Sequence, residues 1–223
     1  MFKAIVIGGT GATGKHLINQ LIRNNNCELV TSIGRRSVLD GKKNDKLVDV
    51  VLDSLFELSS TENYWKNNDV FFNCIGTTRK RAGGAKEFIN IESGIANEAA
   101  KVAANTKIPH ASLISAKGAN HKIWAKNWIH TLLYLKTLGQ KEQSIISKFS
   151  FNNVSIFKPG MLIRLKGKKT WFEDFSEKKG FGLRVDTLAS AMIYDAERVN
   201  LGLVEKSHQF FIGNNHIKNS LEL

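Results

Sequence analysis

Residues 4–14 constrain the fold more than any other stretch. Four apolar residues, Ala4-Ile5-Val6-Ile7, run directly into Gly8-Gly9-Thr10-Gly11-Ala12-Thr13-Gly14. A short, uninterrupted apolar run bounded by a turn reads as a strand buried on both faces, the usual state of a strand in a parallel sheet. A helix is expected to follow over residues 12–23, and the glycine spacing between strand and helix gives each glycine a task. Gly8 permits the tight turn, Gly11 lets the backbone approach a pyrophosphate, and Gly14 lets the helix pack closely on the strand. The first N–H groups of the helix and its positive dipole end then face the phosphates. Glycines also mark ordinary turns, but here the strand before and the helix after agree. The expectation is an α/β chain with a Rossmann-like, doubly wound parallel sheet. It would hold a dinucleotide on Gly8, Thr10, Gly11, Ala12, Thr13 and Gly14.

The 223 residues, 42% of them apolar, suit a single domain over 1–223 in which 160–223 forms a small C-terminal cover over the site. No apolar run is long enough to cross a membrane. Met1 stands almost on the first strand, so no cleaved leader is expected. Cys27 and Cys74 share no metal-ligand spacing with the histidines and no disulfide framework, which suggests no metal and a reducing intracellular compartment. The net charge of +12 gathers at Arg79-Lys80-Arg81, at 164–169 and at Lys178-Lys179. Anionic partners would suit these clusters. No nucleic-acid motif accompanies them, so specific nucleic-acid binding is not expected.

Further strands are expected over 28–33, 48–52, 69–74, 111–115, 154–158 and 209–212, with a helix over 85–104 presenting Phe88, Ile91, Ile95 and Val102. The second strand ends at Gly34-Arg35-Arg36. An NAD site usually places a carboxylate there for the ribose 2′-OH, whereas guanidinium groups pair with a 2′-phosphate. Arg35 and Arg36 therefore favour NADP(H) over NAD(H). Asp53 and Ser54, after the third strand, suit either the adenine amino group or the cap of a short helix. Cys74-Ile75-Gly76-Thr77 ends the fourth strand and would border the nicotinamide ribose. Residues 164–179 read as a basic loop, Asp186 as the N-cap of a further helix, and the last residues as a polar tail.

Taken in order, the glycine turn, Ile33-Gly34-Arg35-Arg36, Cys74 to Arg79, Leu113 to Ala119 and Phe157-Lys158-Pro159-Gly160 resemble the atypical short-chain dehydrogenase/reductase superfamily. The likeness is to the branch of the HIV Tat-interacting oxidoreductase-like protein and its fungal mitochondrial relatives, and it covers the chain to about Glu197. It implies a Rossmann domain with NADP(H) across the strand ends, and Pro159-Gly160-Met161-Leu162 closing over the nicotinamide. It also implies a serine after the fifth strand, then a tyrosine with a lysine four residues later. Such a lysine lowers the tyrosine pKa from about 10 so that the phenol exchanges protons near neutral pH.

Tyr134 matches the tyrosine, but four residues on stands Leu138. Lys136 points to another helix face, and Lys141 lies about 10 Å along by helix rise. The serine position is Ala116, and Ser115 sits one place earlier. These departures suggest an oxidoreductase-like pseudoenzyme, a structural or sensing component of a larger assembly, in the mitochondrion or the cytoplasm. The rival expectation is an active NADPH-dependent carbonyl reductase with Tyr134 as acid, helped by Ser115 or His130.

The link from Ala116 to Tyr134 is longer than the resemblance implies. Trp124, Trp128 and Leu132 recur at four-residue steps, which predicts a helix over 121–149 with this stripe on one face. Core packing explains such a stripe. So does a surface for a protein partner or a membrane interface, with Lys122 and Lys126 suited to an anionic one.

Overall fold

The computed structural model describes residues 1–165 and 182–222. Its main strands are β1 (Phe2–Ile7), β2 (Cys27–Gly34), β3 (Leu47–Val51), β4 (Val70–Asn73), β5 (His110–Ile114), β6 (Asn153–Lys158) and β9 (His208–Ile212). They form one parallel sheet in the order β3-β2-β1-β4-β5-β6-β9. β7 (Leu162–Ile163) pairs separately with β8 (Leu183–Arg184). The chain reverses its direction of travel across the sheet between β1 and β4, which opens a crevice at the C-terminal strand ends.

Alternation along β1 explains the layers. Ala4 and Val6 face one cluster, which holds Leu17, Ile18 and Leu21 of α1 (Ala12–Arg23) with Leu188 and Met192 of α7 (Val185–Asn200). Ile5 and Ile7 face the other, built from Trp65, Ala99, Ala103 and Ile145. That layer includes α5 (Ala96–Asn105) and α6 (His130–Ser147). Both faces are covered, and all five apolar β1 residues, Phe2 and Ala4 to Ile7, are buried, the larger side chains contributing roughly 1.5–3 kcal/mol each. At the N-terminal end of β5, His110 Nε2 lies 3.0 Å from Ser155 Oγ and 3.6 Å from Asp195 of α7, whose other oxygen accepts from Gln209. This polar cluster ties α7 to the sheet at the end remote from the crevice.

Several elements differ from the sequence reading. The helix expected over 85–104 is α4 (Ala85–Ile89) and α5 joined by a π turn over Asn90–Ile95. Such a turn adds a residue to the helical circuit, and Glu92 within it is buried. The helix expected from residue 121 begins only at His130. Asn120 N–H donates to Leu135 O, and a Cβ on Gly139 would lie 2.3 Å from the Asn120 carbonyl carbon. The chain at 120 thus lies against the middle of α6 and must run back to reach its start. A helix extended from His130 would instead carry residue 121 about 13 Å the opposite way. Residues 121–129 are therefore a loop, and Trp124 and Trp128 leave the core. Asp186 sits inside the first turn of α7, bonded to the Arg184 guanidinium and to Thr187 N–H, while the cap position itself is Arg184. The expected polar tail forms α8 (Asn214–Asn219), anchored by buried Ile217. Most of the basic loop expected over 164–179 lies outside the described residues.

Candidate nucleotide-binding site

The glycine turn has the shape its spacing requires. Gly8 adopts φ +80°, and a Cβ there would stand 2.6 Å from the Cys74 carbonyl carbon. A Cβ on Gly14 would meet the Gly8 carbonyl oxygen at 2.2 Å, so only glycine lets α1 dock on the turn. Gly11 N–H donates to Gly8 O at 2.9 Å. Gly11 is also the cap residue of α1. It brings no capping side chain, and no acidic residue occupies the first turn. The helix N-terminus, with Thr10, Ala12 and Thr13 around it, is thus built to meet an anion rather than its own carboxylate. This cradle fits a pyrophosphate.

Beside it lies a cleft of about 310 Å³ lined by Gly9, Thr10, Lys15, Arg36, Ser37 and Asp40, among others. Arg35 and Arg36 are exposed at the end of β2. Asp49 of β3 accepts from Ser37 Oγ at 2.6 Å and Val38 N–H at 2.9 Å, which holds the segment after the arginines against the sheet. Leu39 and Asp40 at the rim have φ of 54° and 53°, a strained conformation for non-glycine residues. Asp53 is exposed. Ser54 Oγ accepts from Phe56 N–H at 3.2 Å and so caps the turn over Leu55–Thr61.

At the end of β4, Ile75 N–H donates to Asn73 Oδ1, and Thr77 N–H donates to Glu92 Oε1 at 2.6 Å. The other Glu92 oxygen receives Lys141 Nζ at 3.1 Å, and both side chains are at most 3% exposed. Gly76 is exposed between them. Burial pushes the Cys74 thiol up to about 12, which removes it as a nucleophile.

A second buried pair holds the ends of β5 and β6. Ser115 Oγ donates to Glu142 Oε1, while Lys158 Nζ donates to Glu142 Oε2 at 2.7 Å and to Ala119 O at 2.9 Å. Lys117 N–H donates to Pro159 O, and Gly160 N–H to Asn214 Oδ1. Met161 and Leu162, half-buried, lead into the β7–β8 pair.

Tyr134 lies one turn into α6, 37% exposed, with its ring 6.0 Å from that of Phe88. Burial raises the phenol above its usual range, the Glu92 carboxylate raises it further, and Arg164 partly opposes them. Leu138, on the turn where an ammonium would reverse this, is buried.

The glycine turn, the β4 turn, Ser115 and Pro159 thus share one sheet edge. Sequence reasoning missed Lys15, Asp49, Glu92, Glu142 and Lys158, and did not foresee the partner of Lys141. One signal was available. Glu92 stands four residues after Phe88 and three before Ile95, inside the apolar face of its helix, and a charge there requires a buried partner.

A glycine cradle at a helix N-terminus, beside a basic cleft on a doubly wound sheet, defines an NAD(P)-binding Rossmann protein. The description of the NAD(P)H-binding family matches residues 8–194, and the chain belongs to that family. It is 28% identical to protein HTATIP2 of Rattus norvegicus over 185 residues, 83% of this chain and 72% of that protein. It is 35% identical to the mitochondrial protein FMP52 of Debaryomyces hansenii over 166 residues, 74% of this chain and 69% of the relative. Two solved structures share the fold. MoeE5, in complex with UDP-glucose and NAD, gives a TM-score of 0.67 at 12% identity, covering 99% of this chain and 81% of MoeE5. The oxidoreductase ylbE from Lactococcus lactis gives 0.68 at 14% identity, covering 99% and 95%.

Proposed function

We propose that this chain binds NADP(H) in preference to NAD(H) and uses it as a structural or sensing ligand, with its hydride-transfer chemistry weakened or lost. The observation that carries this reading is the environment of Tyr134. A general acid works best with a pKa near the operating pH, and here burial and Glu92 move the phenol the wrong way. The two lysines nearest in role are engaged elsewhere, Lys141 with Glu92 and Lys158 with Glu142.

The same reading assigns the binding roles. Gly8, Thr10, Gly11, Ala12, Thr13 and Gly14 hold the pyrophosphate, while Arg35 and Arg36, with Lys15 lining the same cleft as Arg36, hold a 2′-phosphate. Asp53 and Ser54 border the adenine. Cys74, Ile75, Gly76 and Thr77 border the nicotinamide ribose with Tyr134, and Pro159, Gly160, Met161 and Leu162 close over the nicotinamide. Bound NADPH would supply a hydride; the chain supplies no well-tuned proton donor for the partner oxygen. The nucleotide then stabilises the folded state by mass action, as suits a component of a larger assembly. We read residues 1–223 as one domain, with 160–223 contributing the cover. Fungal relatives carry mitochondrial names, which supports the same compartment here.

The rival reading, a carbonyl reductase with Tyr134 as acid, draws on the partial exposure of that phenol and the opposing Arg164 charge. Calorimetry with NADPH, followed by NADPH oxidation with aldehydes, ketones and quinones, separates the two. Binding without turnover is expected. Turnover that vanishes in Tyr134→Phe refutes the non-catalytic reading, and failure to bind NADPH refutes both.

A further inference from the structure

The loop that enters α6 carries the most exposed large aromatic side chains among the described residues. Trp124 is 65% exposed and Trp128 68%. Ile123 and Ile129 beside them are half-buried, while His121, Lys122, Lys126 and His130 are exposed. Lys126 Nζ stands 5.6 Å from the centre of the Trp124 ring. No Asp or Glu occurs between Glu98 and Glu142, so the loop and the first three turns of the helix it enters, up to Lys141, carry charge of one sign. Two indoles held in water at this exposure forgo a large share of their burial energy, and large apolar side chains exposed together on one short loop mark a contact surface.

We propose that this loop seats on the surface of an anionic lipid bilayer. Indole has an apolar body and a polar N–H, and settles at the depth of lipid headgroups. Lysines alternating with the indoles meet the negative surface of such a leaflet. A protein partner would be met by a broad, flat apolar centre ringed by polar groups. Here the rings stand on a narrow loop, four residues apart, with a single sign of charge between them. No helix among the described residues is long and apolar enough to cross a membrane, so the contact is peripheral. The base of the loop is clamped by Lys158 on Ala119 O and by Asn120 on Leu135 O. The tip can therefore enter the headgroup layer while the nucleotide site keeps its shape.

Sedimentation of the full chain with phosphatidylcholine vesicles, with and without phosphatidylserine, tests this. Binding is expected only with phosphatidylserine, with a blue shift of tryptophan emission and loss at high salt. Lys122→Gln with Lys126→Gln weakens it about 25-fold, on the basis of roughly five-fold per lysine. A chain of net charge +12 adheres to anionic surfaces in any case, so the deciding arm is Trp124→Ser with Trp128→Ser, which leaves the charge unchanged. That variant loses the emission shift and falls to the residual binding that charge alone provides, while its thermal midpoint and NADPH affinity stay at the parent values. Equal binding to pure phosphatidylcholine, or unaltered binding by the folded tryptophan variant, overturns the proposal. So does absence of binding to phosphatidylserine vesicles when a protein is captured instead. Should the tryptophan variant unfold, the lysine variant decides, and unaltered binding there overturns it equally.

Discussion

Replacing Lys141 by methionine keeps the side-chain volume and removes only the charge. Lys141 and Glu92 are 3% and 2% exposed and 3.1 Å apart, so the change strands a buried carboxylate. Its remaining partner is one N–H, from Thr77 at 2.6 Å. Breaking a buried pair by deleting one member costs roughly 3–5 kcal/mol, because the orphaned charge cannot reach water. In a chain of this length each kcal/mol moves the melting midpoint by about 2–4 °C, so Lys141→Met should melt about 6–20 °C lower. Adding Glu92→Gln removes the orphaned charge while an amide oxygen still accepts from Thr77. The double variant should therefore melt above Lys141→Met. Thermal unfolding by circular dichroism at neutral pH, without nucleotide, gives all four midpoints of the cycle. A drop under about 2 °C for Lys141→Met would mean that water reaches Glu92. Additive losses in the double variant would mean that the two side chains do not act as a pair. Either result refutes the picture of a sealed ion pair behind the β4 turn.

Two further outcomes are specific. Arg35→Ala with Arg36→Ala should weaken NADPH roughly ten- to a hundred-fold, the worth of one charged hydrogen bond, and leave NADH nearly unchanged; calorimetry giving equal losses for both nucleotides refutes the 2′-phosphate role. Asp195 is raised from its ordinary 3.8 to about 6, chiefly by burial, while burial also pushes neighbouring His110 down to about 3. The folded carboxyl thus binds its proton more tightly than the unfolded one, and its contribution favours folding below about pH 4 and is lost as pH rises through 6. Asp195→Asn should accordingly be more stable than the parent at pH 8, by up to about 3 kcal/mol, with the gap closing near pH 4. Urea unfolding at both pH values checks it, and a variant less stable at pH 8 refutes it.

The glycine turn and strand pattern were readable because each rests on local rules. A run such as Ala4 to Ile7 has one buried solution, and Gly8 and Gly14 stand where no Cβ fits. The helix over 121–149 failed for a non-local reason. Four-residue spacing of Trp124 and Trp128 satisfies helical periodicity, but the path is set by Asn120 lying on Gly139, a contact between residues 19 apart that no window along the chain contains. The two buried ion pairs were hidden in the same way. Lys158 reads from the sequence as the last residue of a strand, and only the packing of α6 against β6 shows that its charge faces Glu142. The Tyr134 environment combines both kinds. Leu138 could be read from spacing, whereas the added push from Glu92 depends on a π turn.

Gly139 also divides the polypeptide into parts with different freedom to change. Because Asn120 and His121 lie within 2.3 Å of where its side chain would begin, any larger residue there must displace the crossing chain, and with it Ala119 and the Lys158 contact. Residues 122–128 lie beyond that crossing, and their length and sequence are not fixed by it. A tag, a fluorophore or a longer insertion placed at this tip should leave the nucleotide cradle undisturbed. One conservative change at Gly139 should damage both ends at once.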